Sequence, residues 1–252
     1  MDCRRSRILE TEREGPGIEM RPLLVVGCLL ASASSVVAQD RVLGLLTLPE
    51  VFGNGACDRF SPREVRLHAM PGGAAVGLVH VVRSWTFQGN GGCEGLEVAV
   101  RMQGAAEERP LPTQEYEYEA PAAIVLQQRG RWFKLRLATG SAWALASDQD
   151  MFRSLENLFE NALTYLTSDW SRQVSAAPGV RGRAARIPAG MAEPSIHVIS
   201  SQRSGGQLWF EIEVMSHSGC EGLKEPTAID RGWVPAHSPS GQPSIWFFSR
   251  GC

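Results

Sequence analysis

Four of the chain's six cysteines, its five histidines and one acidic-aromatic run, EYEYE at 115–119, are the residues that could carry chemistry. Cys57, Cys93, Cys220 and Cys252 form an even set, as expected of disulfides in an exported protein. Three pairings are open, and Cys57–Cys93 with Cys220–Cys252 is the expected one because each pair falls within one half of the sequence. Each bridge closes a loop of roughly 30–40 residues and contributes about 3–4 kcal/mol in the chain-entropy picture. Zinc is the other common use of cysteine. No Cys-x-x-Cys is present and His217-x-x-Cys220 is a single pair, so no metal site is expected.

The histidines offer little catalysis. The chain has no Gly-x-Ser-x-Gly elbow, no His-Glu-x-x-His, no P-loop and no dinucleotide fingerprint, and no cofactor is expected. His80 and His197 stand at matched places, each between two aliphatic residues, so their rings are expected to face away from the core in structural or solvent-facing roles. A small exported hydrolase, the alternative reading, would draw an acid/base pair from Asp148, Asp150, His217 and His237, two of them converging in one cleft. The run EYEYE puts Glu115, Glu117 and Glu119 on one face of a strand and Tyr116 and Tyr118 on the other. Three like charges in that register are expected to mark a solvated edge strand that discourages aggregation. Tyr116, Tyr118 and Trp246, the last within SIWFFSRGC, are the aromatic residues expected at a binding surface.

The N-terminal region points to export. From Met20 the chain reads MRPLLVVGCLLASASSVVAQD, one arginine, an apolar stretch and small residues before Gln39, which is the pattern of a signal peptide cut after Ala38. Residues 1–38 are therefore assigned to it, with Met20 as the expected true start, and the stretch is too short and serine-rich to span a bilayer. Val25-Val26-Gly27-Cys28 offers a second possibility, a lipid anchor on Cys28. The expected location is the periplasm or the exterior. Lys and Arg total 25 against 27 Asp and Glu, which excludes a strongly basic nucleic-acid binder. No segment after residue 40 is long and apolar enough for an integral membrane span.

The elements that must position these residues repeat themselves. Gly-Cys-Glu-Gly-Leu occurs at 92–96 and at 219–223, preceded by VHVVRS (79–84) and IHVISS (196–201). Each copy is expected to be a tight turn held by a disulfide. WFKLRL (132–137) and WFEIEV (209–214) alternate strictly, as a strand with one buried face does. An aliphatic strand and a glycine turn precede each, and a Gly-containing turn with Trp143 or Trp233 follows. Trp132, Trp143, Trp209 and Trp233 are expected in the core or half-buried at its edge.

This order resembles bacterial SH3-like domains, in which a trailing Gly-Trp strand closes a small five-stranded barrel. The resemblance covers roughly 115–147 and 190–236, and more loosely 63–101. It implies a mainly β fold of two small SH3-like barrels, residues 42–147 and 191–252. It also implies a non-catalytic module that binds a peptide, a protein partner or peptidoglycan in an aromatic-lined groove. Between the modules, DQDMFRSLENLFENALTYLTSDW (148–170) spaces Phe152, Leu155, Phe159, Ala162 and Leu166 by three and four and predicts an amphipathic helix, with Ser147 and Asp150 as its capping box. Residues 171–190, rich in Ala, Gly, Pro and Arg, are expected to be a linker.

Overall fold

Alternating aliphatic and polar residues favour strands, and strands dominate the computed structural model. It describes residues 41–52, 63–86, 93–118, 120–148, 151–220 and 224–250, the side chains of 83–86 and 93–96 excepted. The first elements are β1 (Gly44–Leu46), α1 (Pro49–Phe52), β2 (Val65–His68), β3 (Ala75–Thr86), β4 (Cys93–Met102), β5 (Arg109–Pro110) and β6 (Thr113–Glu117). Then come β7 (Ala120–Arg129), β8 (Trp132–Arg136), β9 (Ser141–Leu145), β10 (Phe152–Ser154), α2 (Leu155–Phe159) and β11 (Thr164–Leu166). The last are β12 (Gln173–Val174), β13 (Arg183–Ala184), β14 (Ser195–Ser204), β15 (Gln207–Met215), β16 (Ala228–Pro235) and β17 (Ile245–Phe247). The fold is mainly β, as expected.

One sheet runs β10-β1-β7-β8-β9-β2-β3-β4-β5 with β6 also on β7; a second runs β16-β15-β14-β11-β17; β12 and β13 form a third. The two Trp-started strands lie at the centres of two meanders, β7-β8-β9 and β14-β15-β16. The turns entering them contain Gly130 at φ 60° and Gly205 at φ 58°, left-handed conformations that glycine adopts without a Cβ clash. The alternation in β15 is exact in burial: Leu208, Phe210, Ile212 and Val214 are buried, and the residues between them half-buried.

The described residues belong to one compact unit, and β7 shows how. Its residues 122–126 are buried without a break. Ala123 and Val125 enter one core with Leu67, Phe133 and Leu135. Ala122, Ile124 and Leu126 enter a second with Phe159, Phe210 and Phe247. In β1, Leu45 serves the second core and Leu46 the first. A strand covered on both faces reads as a continuous apolar run rather than an alternating one, and AAIVL is such a run. Gly44 in β1 is obligatory because a Cβ there would lie 2.0 Å from the Arg153 carbonyl oxygen of the adjacent β10.

The helix expected over 148–170 is corrected. Phe152–Ser154 pairs with β1 as strand β10, helix α2 spans only Leu155–Phe159, and Thr164–Leu166 pairs with β14 and β17 as β11. The cap is Ser154, which accepts from Asn157 N at 3.3 Å, rather than Ser147. Asn161 takes φ 56° and ends the helical path. The buried stripe survives in part: Leu155, Phe159 and Leu166 are buried, but strand pairing rather than a helix face delivers Leu166. Tertiary pairing overrode a spacing that fits both outcomes.

The stretch read as a linker also has a fixed course. Val174 is buried in the second core, and Ser175 exchanges two backbone hydrogen bonds with Trp233. A Cβ on Gly232 would come within 2.9 Å of Val174 Cβ, so the Gly-Trp motif is glycine where β12 crosses it. The Asp230 side chain, 1% exposed, accepts from Arg183 Nη1 at 2.9 Å and from its Nη2. It also accepts from the backbone N–H groups of Arg186 and Arg231.

The first Gly-Cys-Glu-Gly-Leu copy needs a further correction: Cys93 to Leu96 lie within β4, paired with β3 in the register Thr86↔Cys93. It is a strand, not a turn, because the long β3–β4 hairpin extends through it. In the second copy, Gly219 and Cys220 lie in a turn, and 221–223 fall outside the described residues.

Candidate functional site

The acidic-aromatic run and the C-terminal aromatic run meet at the edge of the second core. Among the described residues, strand β6 pairs only with β7, and it carries a β-bulge between Glu115 and Glu117. The extra residue of a bulge breaks the two-residue period. Here it is Tyr116, which packs half-buried against the second core; burial pushes its phenol pKa up. Tyr118, just beyond the strand, is 64% exposed. The two tyrosines, expected together on one face, therefore divide into one anchor and one accessible ring.

Glu115 fastens the two runs together. It accepts from Ser249 Oγ at 2.9 Å and from Arg250 Nε and Nη2 at 3.0 and 2.7 Å. The Arg250 guanidinium, and then the Ser249 hydroxyl, hold its carboxyl below the usual range. The same guanidinium lies 5.3 Å from the centre of the Tyr118 ring, within cation–π range.

Trp246 is half-buried, edge-on to Phe159 at 6.1 Å. The register Tyr165↔Trp246 sets Tyr165 beside it. Phe248, 42% exposed, packs on Tyr165 at 4.6 Å between ring centres. These aromatics, Thr113 and Gln114 of β6, and the Glu115–Arg250 pair line a groove of about 490 Å³. Of the three expected binding residues, Trp246 lines it, Tyr118 borders it through Arg250, and Tyr116 supports its wall from inside. Sequence reasoning missed Tyr165, Phe248 and Arg250. Tyr165 was hidden in the segment read as helix; the doubled Phe247-Phe248 after Trp246 was the available signal.

A second groove, about 360 Å³, lies between Val100, Met102, Ala105 and Ala106 on one side and Leu137 to Thr139 on the other. It is narrower in chemistry, with Arg109 donating to Thr139 Oγ1 at 3.3 Å as its main polar link.

The remaining candidates do not gather. His237 is buried, and its Nε2 pairs with the Val42 carbonyl at 2.6 Å. His217 spends its nitrogens on Ser216 Oγ and the Lys224 carbonyl. Neither His217, His237 nor Asp148 lines either groove; Asp150 lies outside the described residues. His197 is exposed, whereas His80 is covered and lies 3.2 Å from Glu108. Trp143 is buried, and Trp132, Trp209 and Trp233 are half-buried. Among the described residues no group of three His, Cys, Asp or Glu could hold a metal, and no helix is long and apolar enough to cross a membrane.

Cys57 and Cys252 lie outside the described residues, and only the backbone of Cys93 is described. Cys220 is disulfide-bonded. No family model, no curated protein and no solved structure matches this chain.

Proposed function

We propose that the protein is a non-catalytic, exported binding protein that recognises a peptide, a protein partner or cell-wall material through the groove between β6 and β17. One observation carries this reading: residues far apart in sequence converge on a groove that is aromatic on one wall and polar on the other, clamped by Glu115 and Arg250. Binding sites combine an apolar lining with a few placed polar groups in this way. The two meanders with their glycine turns and Trp-started strands support the likeness to SH3-like modules. The disulfide at Cys220 supports export, since such bonds persist in oxidising compartments. Its partner in this proposal is Cys252, with Cys57 bridged to Cys93.

The test is a pull-down from the native envelope, with isolated peptidoglycan run beside it, comparing the unaltered protein with Phe248→Ala. Capture that depends on Phe248 supports the reading. Capture of nothing, or capture indifferent to Phe248, overturns it.

A further inference from the structure

We propose that the groove's ligand is an uncharged sugar chain, held by stacking on aromatic side chains rather than added as a β-strand. The inference rests on the binding reading above and narrows it to one ligand class.

The usual way for a β-protein to take a peptide is to lend it an open strand edge. The groove lies beside two such edges, and neither is usable. In β17 the hydrogen bonds Thr167 N–H to Ser244 O and Phe248 N–H to Leu163 O turn the even-numbered residues toward β11. The outward peptide groups are therefore those of Ile245 and Phe247. These residues are 0% and 6% exposed, so a strand has almost no backbone to pair with. In β6 the register runs regularly only over Thr113, Gln114 and Glu115 before the bulge interrupts it. Short, bulged edges are the devices that prevent strand addition.

What the groove leaves accessible is side-chain surface. Tyr165, Trp246 and Phe248 share one face of the β11–β17 pair, as their register and alternation require. The wall opposite is lined by Thr113 and Gln114, both exposed residues whose polar groups offer donors and acceptors. A pyranose ring has the matching anatomy: a flat face of C–H bonds that packs on an aromatic ring, and hydroxyls at its rim that both donate and accept. Charge agrees. The charged residues of the lining, Glu115 and Arg250, neutralise one another, so the lining itself carries no net charge. A volume of about 490 Å³ lies within the range of small-ligand sites and has room for a short oligosaccharide.

The experiment titrates the full chain with N-acetylchitohexaose, cellohexaose and the uncharged peptide acetyl-(Ala-Gly)₃-amide, by calorimetry and by tryptophan fluorescence. At least one sugar should bind saturably and shift the tryptophan emission, and the peptide should not. Phe248→Ala and Gln114→Ala should each weaken sugar binding about tenfold while shifting the melting temperature by no more than about 4 °C. Peptide binding that these substitutions weaken, with no sugar bound, overturns the sugar inference and leaves the binding reading standing. Sugar binding indifferent to both substitutions also overturns it, because the site is then elsewhere. No binding of any probe, with an envelope pull-down that returns only a protein captured through Phe248, again removes the sugar alone. No binding and no Phe248-dependent capture removes both readings.

Discussion

Two regions of this protein use the same parts to different ends: the second core and the groove beside it. Each has an aromatic cluster and an acid–arginine pair. In the core the cluster centres on Phe159, 1% exposed against Phe210, Trp246 and Phe247. The acid of its nearby clamp is Asp230, 1% exposed with four donors around it. In the groove the outer ring is Phe248, 42% exposed, and the acid is Glu115, 33% exposed. Burial decides the difference. A desolvated carboxylate must be fully satisfied or it costs several kcal/mol, whereas a half-solvated one holds two segments together at little cost and can exchange partners.

The sharpest way to break the comparison is Phe159→Ala. It should cost about 3–5 kcal/mol, as for other fully buried aromatics, whereas Phe248→Ala, which gives up one half-exposed ring contact with Tyr165, should cost about 1 kcal/mol. Urea unfolding of the two variants reads this directly. Equal costs would mean that the groove is an extension of the core.

Asp230→Asn comes next. It removes a charge that four donors serve, Arg183 first among them, and should cost about 3 kcal/mol. The hydrogen bonds from Arg183 and the Arg186 and Arg231 amides hold the Asp230 carboxyl well below the usual carboxylate range. Its stabilisation is complete above the unfolded value of about 4 and is lost as pH falls below it. The acid limb of a stability–pH curve should therefore be shallower in Asp230→Asn. An unchanged acid limb would show that the clamp does not bind the former linker to β16.

His237 gives a smaller effect at milder pH. Burial pushes its pKa down, outweighing the bond to the Val42 carbonyl, which favours the charged form. The unfolded chain thus takes up a proton near pH 6.5 before the folded one does. Stability is full above that value and declines below it, by at most about 1.4 kcal/mol per pH unit, until the folded ring protonates too. Melting temperatures from pH 7 to pH 5 should fall less steeply in His237→Gln, an exchange that keeps a donor for Val42.

How much of this was readable beforehand follows from the range of the interactions. Strands β8 and β15 were legible because WFKLRL and WFEIEV alternate locally. Tyr118 and Trp246 were legible by elimination, as aromatics outside the strand-opening positions. The segment 148–170 was not, since Phe159 and Leu166 satisfy a helical spacing by coincidence and only pairing with β14 and β17 reveals β11. The groove was half-hidden for the same reason. Its second wall depends on Glu115 and Arg250 meeting across 135 positions, which no window of sequence contains.

The finest test of the comparison is Tyr118→Ala. Tyr118 carries the EYEYE run to the groove, yet it lies outside β6, is 64% exposed and belongs to neither core. Its one described ring partner is the Arg250 guanidinium, and an exposed cation–π contact contributes roughly 0.5–1 kcal/mol. The melting temperature should therefore shift by no more than about 4 °C. Arg250 would remain on Glu115, so the clamp itself should survive. Capture of the envelope ligand should nevertheless weaken, because a large, accessible ring at the mouth of a site contributes contact area at low entropic cost. A large drop in melting temperature would place Tyr118 with the core after all. Unchanged melting together with unchanged capture would confine the site to Trp246, Tyr165 and Phe248, with Tyr118 only a cover over Arg250.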